Sequence, residues 1–289
     1  MSILIDKNTR IIVQNITSKD GLFHTKQMLA FPANIVAGVT PGHGGEWILD
    51  GKIPIFDSVK TAVEITGANA SAIFVPAQFA ADAIIEAVSA NIPLIVCITE
   101  GIPVADMMKV NRYLINSTSR LIGPNCPGIL SPGESKIGII PNEFSLPGHI
   151  GIISRSGTLT YEVLLSLKNA GLGCSTCVGL GGDPVIGSDY VNILELFNQD
   201  PHTEKIVLVG EIGGKYEEKA ADLISNGYFI KPVVSYIAGR SAPPGKKMGH
   251  AGAIIENGIG YAETKIKTLE SVGVKIARSL DMIPDLLKD

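Results

Sequence analysis

One imidazole framed by small residues is the strongest chemical signal in this chain. His250 lies in Gly239-Arg240-Ser241-Ala242-Pro243-Pro244-Gly245-Lys246-Lys247-Met248-Gly249-His250-Ala251-Gly252-Ala253, a glycine-rich loop that follows an apolar run. A loop of that length in a compact protein usually carries function. Gly249, Ala251 and Gly252 leave both ring faces open to a large reactant. A neutral imidazole, with an ordinary pKa of ~6.5, is a competent nucleophile near neutral pH. The plainer role, a surface or packing histidine, stays open at this point. A second signal is Gly210-Glu211-Ile212-Gly213-Gly214, where a carboxylate ends an apolar run inside glycines. That is a place for an orienting group, or for a merely solvated one.

Other loops offer binding rather than covalent chemistry. In Ser154-Arg155-Ser156-Gly157-Thr158-Leu159-Thr160-Tyr161-Glu162, three hydroxyl residues crowd the start of a helical pattern. Free amides and the positive helix end suit an anion such as phosphate; simple N-capping is the alternative. The residue two before Ser156 is Ser154, so the G-x-S-x-G elbow of a serine hydrolase is absent. In the first half, Asn15-Ile16-Thr17-Ser18-Lys19-Asp20-Gly21 occupies the position of a phosphate-binding turn. It lacks the G-x-G-x-x-G fingerprint, which weakens a dinucleotide hydride-transfer reading. Thr40-Pro41-Gly42-His43-Gly44-Gly45, Val75-Pro76-Ala77 and Ile98-Thr99-Glu100-Gly101 also follow apolar runs. Four such loops along one sheet edge imply a binding crevice.

The elements that must position these loops are legible. Candidate strands are residues 10–16, 34–39, 71–75, 93–98, 149–153, 205–209, 232–237 and 274–277. Segments of helical period separate them, such as 157–170 with Leu159, Val163 and Leu167 on one face, and 216–226 with Tyr216, Ala220 and Leu223. The alternation, with near-continuous apolar strands, predicts an α/β fold of parallel sheets covered on both faces. The length of 289 residues suits two domains. Residues 123–148 break the rhythm with Pro124, Pro127, Pro132, Pro141 and Pro147. The expected division is therefore 1–124, a Pro/Gly-rich connection over 125–148, and 149–289.

Composition narrows the function classes. Hydrophobic residues make up 45% and charged residues 18%, with a net charge of −4. No basic block supports a nucleic-acid role. No apolar run reaches the ~18 residues of a membrane span. MSILIDKNTR has neither a secretory nor an acid-poor transit pattern, which predicts a cytoplasmic protein. Cys97, Cys126, Cys174 and Cys177 do not make a disulfide scaffold in a chain this long. The C-x-x-C spacing of the last two could serve redox chemistry or half a zinc site. Without a second such pair or a nearby His, small apolar residues in a strand are the expected role, and no metal site is expected.

Four strings, in order along the chain, resemble the α subunits of succinyl-CoA synthetase (succinate–CoA ligase). They are Gly123-Pro124-Asn125-Cys126-Pro127-Gly128, the segment from Ser154 to Glu162, Gly210-Glu211-Ile212-Gly213-Gly214, and Gly249-His250-Ala251-Gly252-Ala253-Ile254. The resemblance covers essentially the whole chain. It implies a Rossmann-like CoA-binding domain followed by a flavodoxin-like ligase domain. His250 falls on the histidine that becomes phosphorylated, and Glu211 on the acid that positions it. Thr17, Ser18, Lys19, Asp20, His43, Ile98, Thr99 and Glu100 fall on contacts to coenzyme A. Tyr161 falls on a substrate position, and Ser154, Ser156, Gly157 and Thr158 open the helix that faces the phosphohistidine.

The activity implied is reversible: succinate, CoA and a nucleoside triphosphate give succinyl-CoA, a nucleoside diphosphate and phosphate, a reaction of the tricarboxylic acid cycle. This chain has no G-x-x-x-x-G-K-S/T loop. The resemblance assigns ATP or GTP and Mg2+ to a separate β subunit, in an αβ or α2β2 assembly. Two departures stand out. Ser18 occupies a position usually held by glycine, and His43 stands where family members often carry lysine. A neutral His43 removes a cation beside the CoA phosphates, with Lys19 the residue placed to compensate. The rival readings are a ligase subunit acting on another acid, and a CoA-binding module without phosphoryl transfer.

Overall fold

The computed structural model describes residues 2–288. The first half alternates β1 (Arg10–Gln14), α1 (Lys19–Leu29), β2 (Asn34–Val39), β3 (Trp47–Ile48), β4 (Ile53–Phe56), α2 (Val59–Thr66), β5 (Ala70–Ile73), α3 (Ala77–Ser89), β6 (Leu94–Cys97), α4 (Val104–Ile115) and β7 (Arg120–Ile122). The strand order is β3-β4-β2-β1-β5-β6-β7. Every neighbour pair from β4 to β7 is parallel, and only β3 runs antiparallel to β4. The order turns back between β1 and β5, so the carboxyl ends of those strands border the crevice where ligands enter such sheets. Residues of β5 and β6 are buried at every position, as strands covered on both faces must be. Alanines of α3, among them Ala80 and Ala87, let that helix lie close against the sheet.

The second half contains β8 (Gly128–Ser131), β9 (Ser135–Gly138), β10 (Pro147–Ser154), α5 (Gly157–Asn169), β11 (Cys174–Gly179), α6 (Tyr190–Gln199), β12 (Lys205–Glu211), α7 (Tyr216–Ser225), β13 (Val233–Ala238), α8 (Ala262–Ser271), β14 (Lys275–Ile276) and α9 (Ile283–Lys288). Its order is β14-β13-β12-β10-β11-β8-β9. The run from β14 to β11 is parallel, whereas β8 and β9 form an antiparallel hairpin on β11. Both units are thus α/β sheets of the expected class. No helix of the described residues is long and apolar enough to cross a membrane.

Two findings differ from the sequence expectation. The stretch 125–148, expected as a connection, contributes β8 and β9 to the second sheet. Its prolines flank those strands rather than interrupt them: Pro132 sits in the hairpin turn, Pro147 is the first residue of β10, and β9 is an edge strand. The strands β3, β4, β7 and β11 are not among those expected from the apolar runs. Cys174 and Cys177 are, as expected, buried residues of a strand, free thiols inside β11. Burial pushes the Cys174 thiol up to about 12, away from redox reactivity.

The two sheets are joined by the loop that follows β7. Asn125 donates its N–H to the Thr99 carbonyl at 2.8 Å, and Gly187 donates to the Gly123 carbonyl at 2.8 Å. Gly182 donates to the Asn125 carbonyl at 3.2 Å. One hydrophobic core runs through both units, with Val96 and Ile122 in the same cluster as Ile129, Ile153 and Val178.

Candidate active site

The three central strands of the second sheet, β12, β10 and β11, end side by side. Their carboxyl ends deliver Glu211, Ser154-Arg155 and Gly179–Gly182 to one edge. The glycine-rich loop after β13 folds back over that edge. Gly252 donates its N–H to the Gly182 carbonyl at 3.0 Å, and the Ala253 N–H bonds to the His250 carbonyl at 3.1 Å. His250 is thereby set against Gly182, where an added Cβ would meet the imidazole Cγ at 2.1 Å and Nδ1 at 2.3 Å. Only a residue without a side chain fits beneath the ring.

The imidazole Nδ1 lies 2.8 Å from Glu211 Oε2. The Glu211 side chain is 9% exposed and that of His250 is 26% exposed. Nε2 has no hydrogen-bond partner among the described residues and is not among the fully buried unpartnered atoms. The hydrogen bond to Glu211 raises the His250 pKa above its ordinary value, with burial opposing it and the Glu211 charge adding to it. Bonding one ring nitrogen to a carboxylate fixes the tautomer: Nδ1 carries the proton, and Nε2 keeps its lone pair.

Behind Glu211 stands a second layer of charge. Arg155, with a side chain 1% exposed, places Nη2 3.5 Å from Glu211 Oε1. The Glu211 N–H donates to Glu217 Oε1 at 3.1 Å, and Glu217 is paired with the fully buried Lys265. Lys265 also donates to Glu218 Oε2 at 3.2 Å. Asp183, whose charge also acts on His250, accepts a hydrogen bond from Asn125 at 2.9 Å. Burial raises the Asp183 pKa, partly offset by that bond. Sequence reading passed over Arg155, Gly182 and Asp183 as functional candidates. Arg155 lies inside a string read for its hydroxyls, and Gly182-Asp183 follow a strand that the periodicity did not reveal.

The hydroxyl cluster serves the backbone. Ser154 Oγ donates to the Ser156 carbonyl at 2.9 Å and accepts from the Ser156 N–H at 3.1 Å. Ser156 caps α5 by accepting from Leu159 N at 3.3 Å. The amides of Gly157 and Thr158, in the first turn, take no part in that cap and keep the polarity of a helix start. Tyr161 is not brought to the imidazole by any polar contact among the described residues. Its ring lies half-buried 6.4 Å from that of Phe144, and burial pushes its phenol up to about 12.

The first-sheet loops gather at a separate place. Ser18 caps α1 by accepting from Gly21 N at 3.0 Å, while Lys19 and Asp20 are exposed in the first turn. Thr17 Oγ1 lies 3.3 Å from Thr40 Oγ1, and Thr99 donates to the Val75 carbonyl at 2.6 Å. Asn15, Ser18, Asp20, His24, Ile98, Thr99 and Glu100 line a cavity of about 430 Å³. A more apolar neighbour of about 580 Å³, with Val39, Pro41 and Phe79, shares Asn15, Val75 and Pro76 with it. His43 lies apart from both, its Nδ1 3.1 Å from the Glu46 carboxylate and both side chains exposed.

A CoA-binding unit followed by a CoA-ligase unit is the class that this fold and site define. Residues 6–101 match the CoA binding domain family, and residues 153–275 match the CoA-ligase family. Over 289 residues the chain is 53% identical to the succinate–CoA ligase (ADP-forming) subunit alpha 2 of Archaeoglobus fulgidus, covering 100% of this chain and 99% of that one. It is 54% identical over 277 residues to the succinate–CoA ligase (ADP-forming) subunit alpha of Staphylococcus aureus, 96% of this chain and 91% of that one. The chain belongs to the succinate–CoA ligase α-subunit family.

Solved structures share the fold at lower identity. An ATP citrate lyase from Methanothrix soehngenii, in complex with citrate and coenzyme A, superposes with a TM-score of 0.87 at 23% identity. The match covers 99% of this chain and 51% of that one, so this chain spans about half the length of the lyase. A dinucleotide-forming acetyl-coenzyme A synthetase 1 from Ca. Korarchaeum cryptofilum gives a TM-score of 0.77 at 22% identity, over 96% of this chain and 60% of that one.

Proposed function

We propose that this chain is the phosphoryl-carrying α subunit of a succinate–CoA ligase, with His250 as the carrier. The observation that bears most weight is the 2.8 Å contact between His250 Nδ1 and Glu211 Oε2, with Nε2 left open. A nucleoside triphosphate gives its terminal phosphoryl group to Nε2, and the nucleoside diphosphate leaves. Glu211 holds the Nδ1 proton and balances the positive charge that the ring gains. The start of α5 at Gly157 and Thr158 stabilises the phosphoryl oxygens. A succinate carboxylate oxygen then attacks phosphorus, the N–P bond breaks, and the neutral imidazole is regenerated. The CoA thiol attacks the carbonyl carbon of succinyl phosphate, loses its proton, and phosphate departs as the C–O bond breaks.

The joined cavities of the first sheet suit a long carrier with an aromatic end and a flexible arm. Thr17, Ser18, Lys19, Asp20, His43, Ile98, Thr99 and Glu100 are the residues we assign to that carrier, coenzyme A. Physical continuity between the two sites supports this: Thr99 bonds Asn125, Asn125 bonds Asp183 and Gly182, and Gly182 underlies His250. We assign Tyr161 and the Ser154–Thr158 turn to the acid and phosphate side, residues 1–124 to CoA binding and 149–289 to ligation, with the connecting stretch 125–148 built into the second sheet through β8 and β9. A β subunit supplies the ATP or GTP and Mg2+ sites, in an αβ or α2β2 complex. The setting that this reading implies is cytoplasmic.

The test is to incubate the αβ complex with γ-labelled nucleotide and look for acid-labile, base-stable label. Label on His250 that discharges on addition of succinate and CoA is expected. Wild-type complex that turns over without such label would overturn the reading.

A further inference from the structure

The Glu211 carboxylate divides its two oxygens between two partners. Oε2 meets His250 Nδ1 at 2.8 Å, and Oε1 faces Arg155 Nη2 at 3.5 Å. Neither Oε1 nor Arg155 Nη1 has a hydrogen-bond partner among the described residues, and both are buried. An unpaired charge in such a place is costly, so Glu211 needs the arginine's charge, while Arg155 feels the charge of Glu217 as well as that of Glu211. Arg155 has little freedom to leave. Its guanidinium carbon lies 5.2 Å from the Tyr216 ring centre, and an added Cβ on Gly252 would come within 2.9 Å of Nη2. The backbone on both sides is therefore built around a fixed arginine.

We propose that Arg155 is a positioning residue: by holding Oε1, it fixes the Glu211 carboxylate in the orientation that keeps Oε2 on His250 Nδ1. Without the guanidinium, Oε1 would lie buried with no counter-charge, and the carboxylate would rotate away, removing the hydrogen bond from the imidazole. The contact itself is independent of the phosphoryl-transfer reading, although its usefulness rests on that reading.

Two effects of removing Arg155 have opposite signs, which makes the idea testable. The arginine's positive charge lowers the His250 pKa, whereas the bond to Glu211 raises it. The other charged groups near the ring are Asp183, which raises the His250 pKa, and Lys247, which lies close enough to act on Asp183. Loss of charge alone would move His250 upward. Loss of a held Glu211 moves it downward, because the bond to that carboxylate is the largest cause of the rise.

The experiment is a titration of the full chain with isotopically labelled histidine, read by NMR, with His250 assigned from the His250→Asn spectrum. Arg155→Met is expected to lower the His250 pKa. Arg155→Lys, which keeps a cation but lacks the planar fork, is expected to lower it less. In a Glu211→Gln background, Arg155→Met should produce no further fall. A rise or no change in either single variant, or an equal fall in the Glu211→Gln background, overturns the proposal. Absence of the phosphoryl label from the wild-type αβ complex, with these pKa values behaving as described, would overturn the ligase reading instead and leave the positioning role standing.

Discussion

Glu211 Oε2 and His250 Nδ1 lie 2.8 Å apart although 39 positions separate the residues in the chain. The loop after β13 must fold back across the ends of β12 and β10 to make that contact. Its chemical value is a locked tautomer and a counter-charge for the imidazolium. Glu211→Gln keeps the shape but loses the charge. We expect the rate of His250 phosphorylation in the αβ complex to fall by about 10²- to 10⁴-fold, as when a carboxylate behind a catalytic imidazole becomes an amide. His250→Asn should remove the label altogether. Rapid-quench measurement with labelled nucleotide reads both, and a Glu211→Gln rate within a few-fold of wild type would rule out the orienting role.

The same contact predicts how stability varies with pH. Folding raises the His250 pKa, chiefly through the hydrogen bond to Glu211. A raised folded-state pKa gives stability that is fully present below the unfolded value of ~6.5 and is lost as pH rises through the folded value. The melting temperature of wild type minus that of His250→Asn should therefore be greatest in mild acid and shrink toward alkaline pH. Thermal melts of the two proteins across that range provide the check. A difference that grows with pH contradicts the assignment.

Gly182 tests whether the ring needs its flat support. A methyl group there would lie 2.1 Å from Cγ of the imidazole, so the ring must shift by about an ångström or more. A displacement of that size at a reacting group costs roughly 10²-fold. Gly182→Ala should cut phosphorylation by about that factor while CoA binding, measured by calorimetry, stays near wild type. Equal loss of both would point to general unfolding rather than a displaced ring.

How much of this could be read from the residues depends on range. His250 and Glu211 were legible because each sits in a local context, glycine-rich and at the end of an apolar run, that packing alone does not require. The main parallel strands were legible for the same kind of reason, their apolar runs being continuous. Arg155 was not, because its partner lies 56 positions away and nothing local marks an arginine as buried. Gly182 follows β11, whose Cys174-Ser175-Thr176-Cys177 gives no apolar run although every residue of the strand is buried. The hairpin β8–β9 was hidden by prolines that bracket strands as readily as they break them. That Tyr161 turns toward Phe144 depends on how α5 rolls on its sheet, which period alone does not fix.

The ion pair under the dyad should dominate local stability. Lys265 and Glu217 are both fully buried, and Glu217 also accepts the Glu211 N–H. Lys265→Met leaves a buried carboxylate without its cation, at a cost of about 3–5 kcal/mol. Adding Glu217→Gln removes the orphaned charge and keeps an acceptor for the amide, so most of that loss should be recovered. Urea unfolding of the wild type, the single and the double variant tests this. A double variant no more stable than Lys265→Met would show that the pair's charge balance is not what matters there.

His43 is the last point at which sequence and geometry can be set against binding. Its ring leans on Glu46 at 3.1 Å, with both side chains exposed to solvent. If the phosphate groups of CoA pass this loop, His43→Lys adds a permanent cation beside them. An exposed ion pair contributes about 0.2–1 kcal/mol, so binding should tighten by roughly 1.5- to 5-fold at low ionic strength. The gain should fade as salt is raised past the physiological range, because the site is open to solvent. Calorimetric titration of CoA into the two proteins at low and high salt distinguishes the cases. Affinity that is unchanged at low salt would mean the phosphates travel elsewhere, with Lys19 at the start of α1 the cation left to meet them.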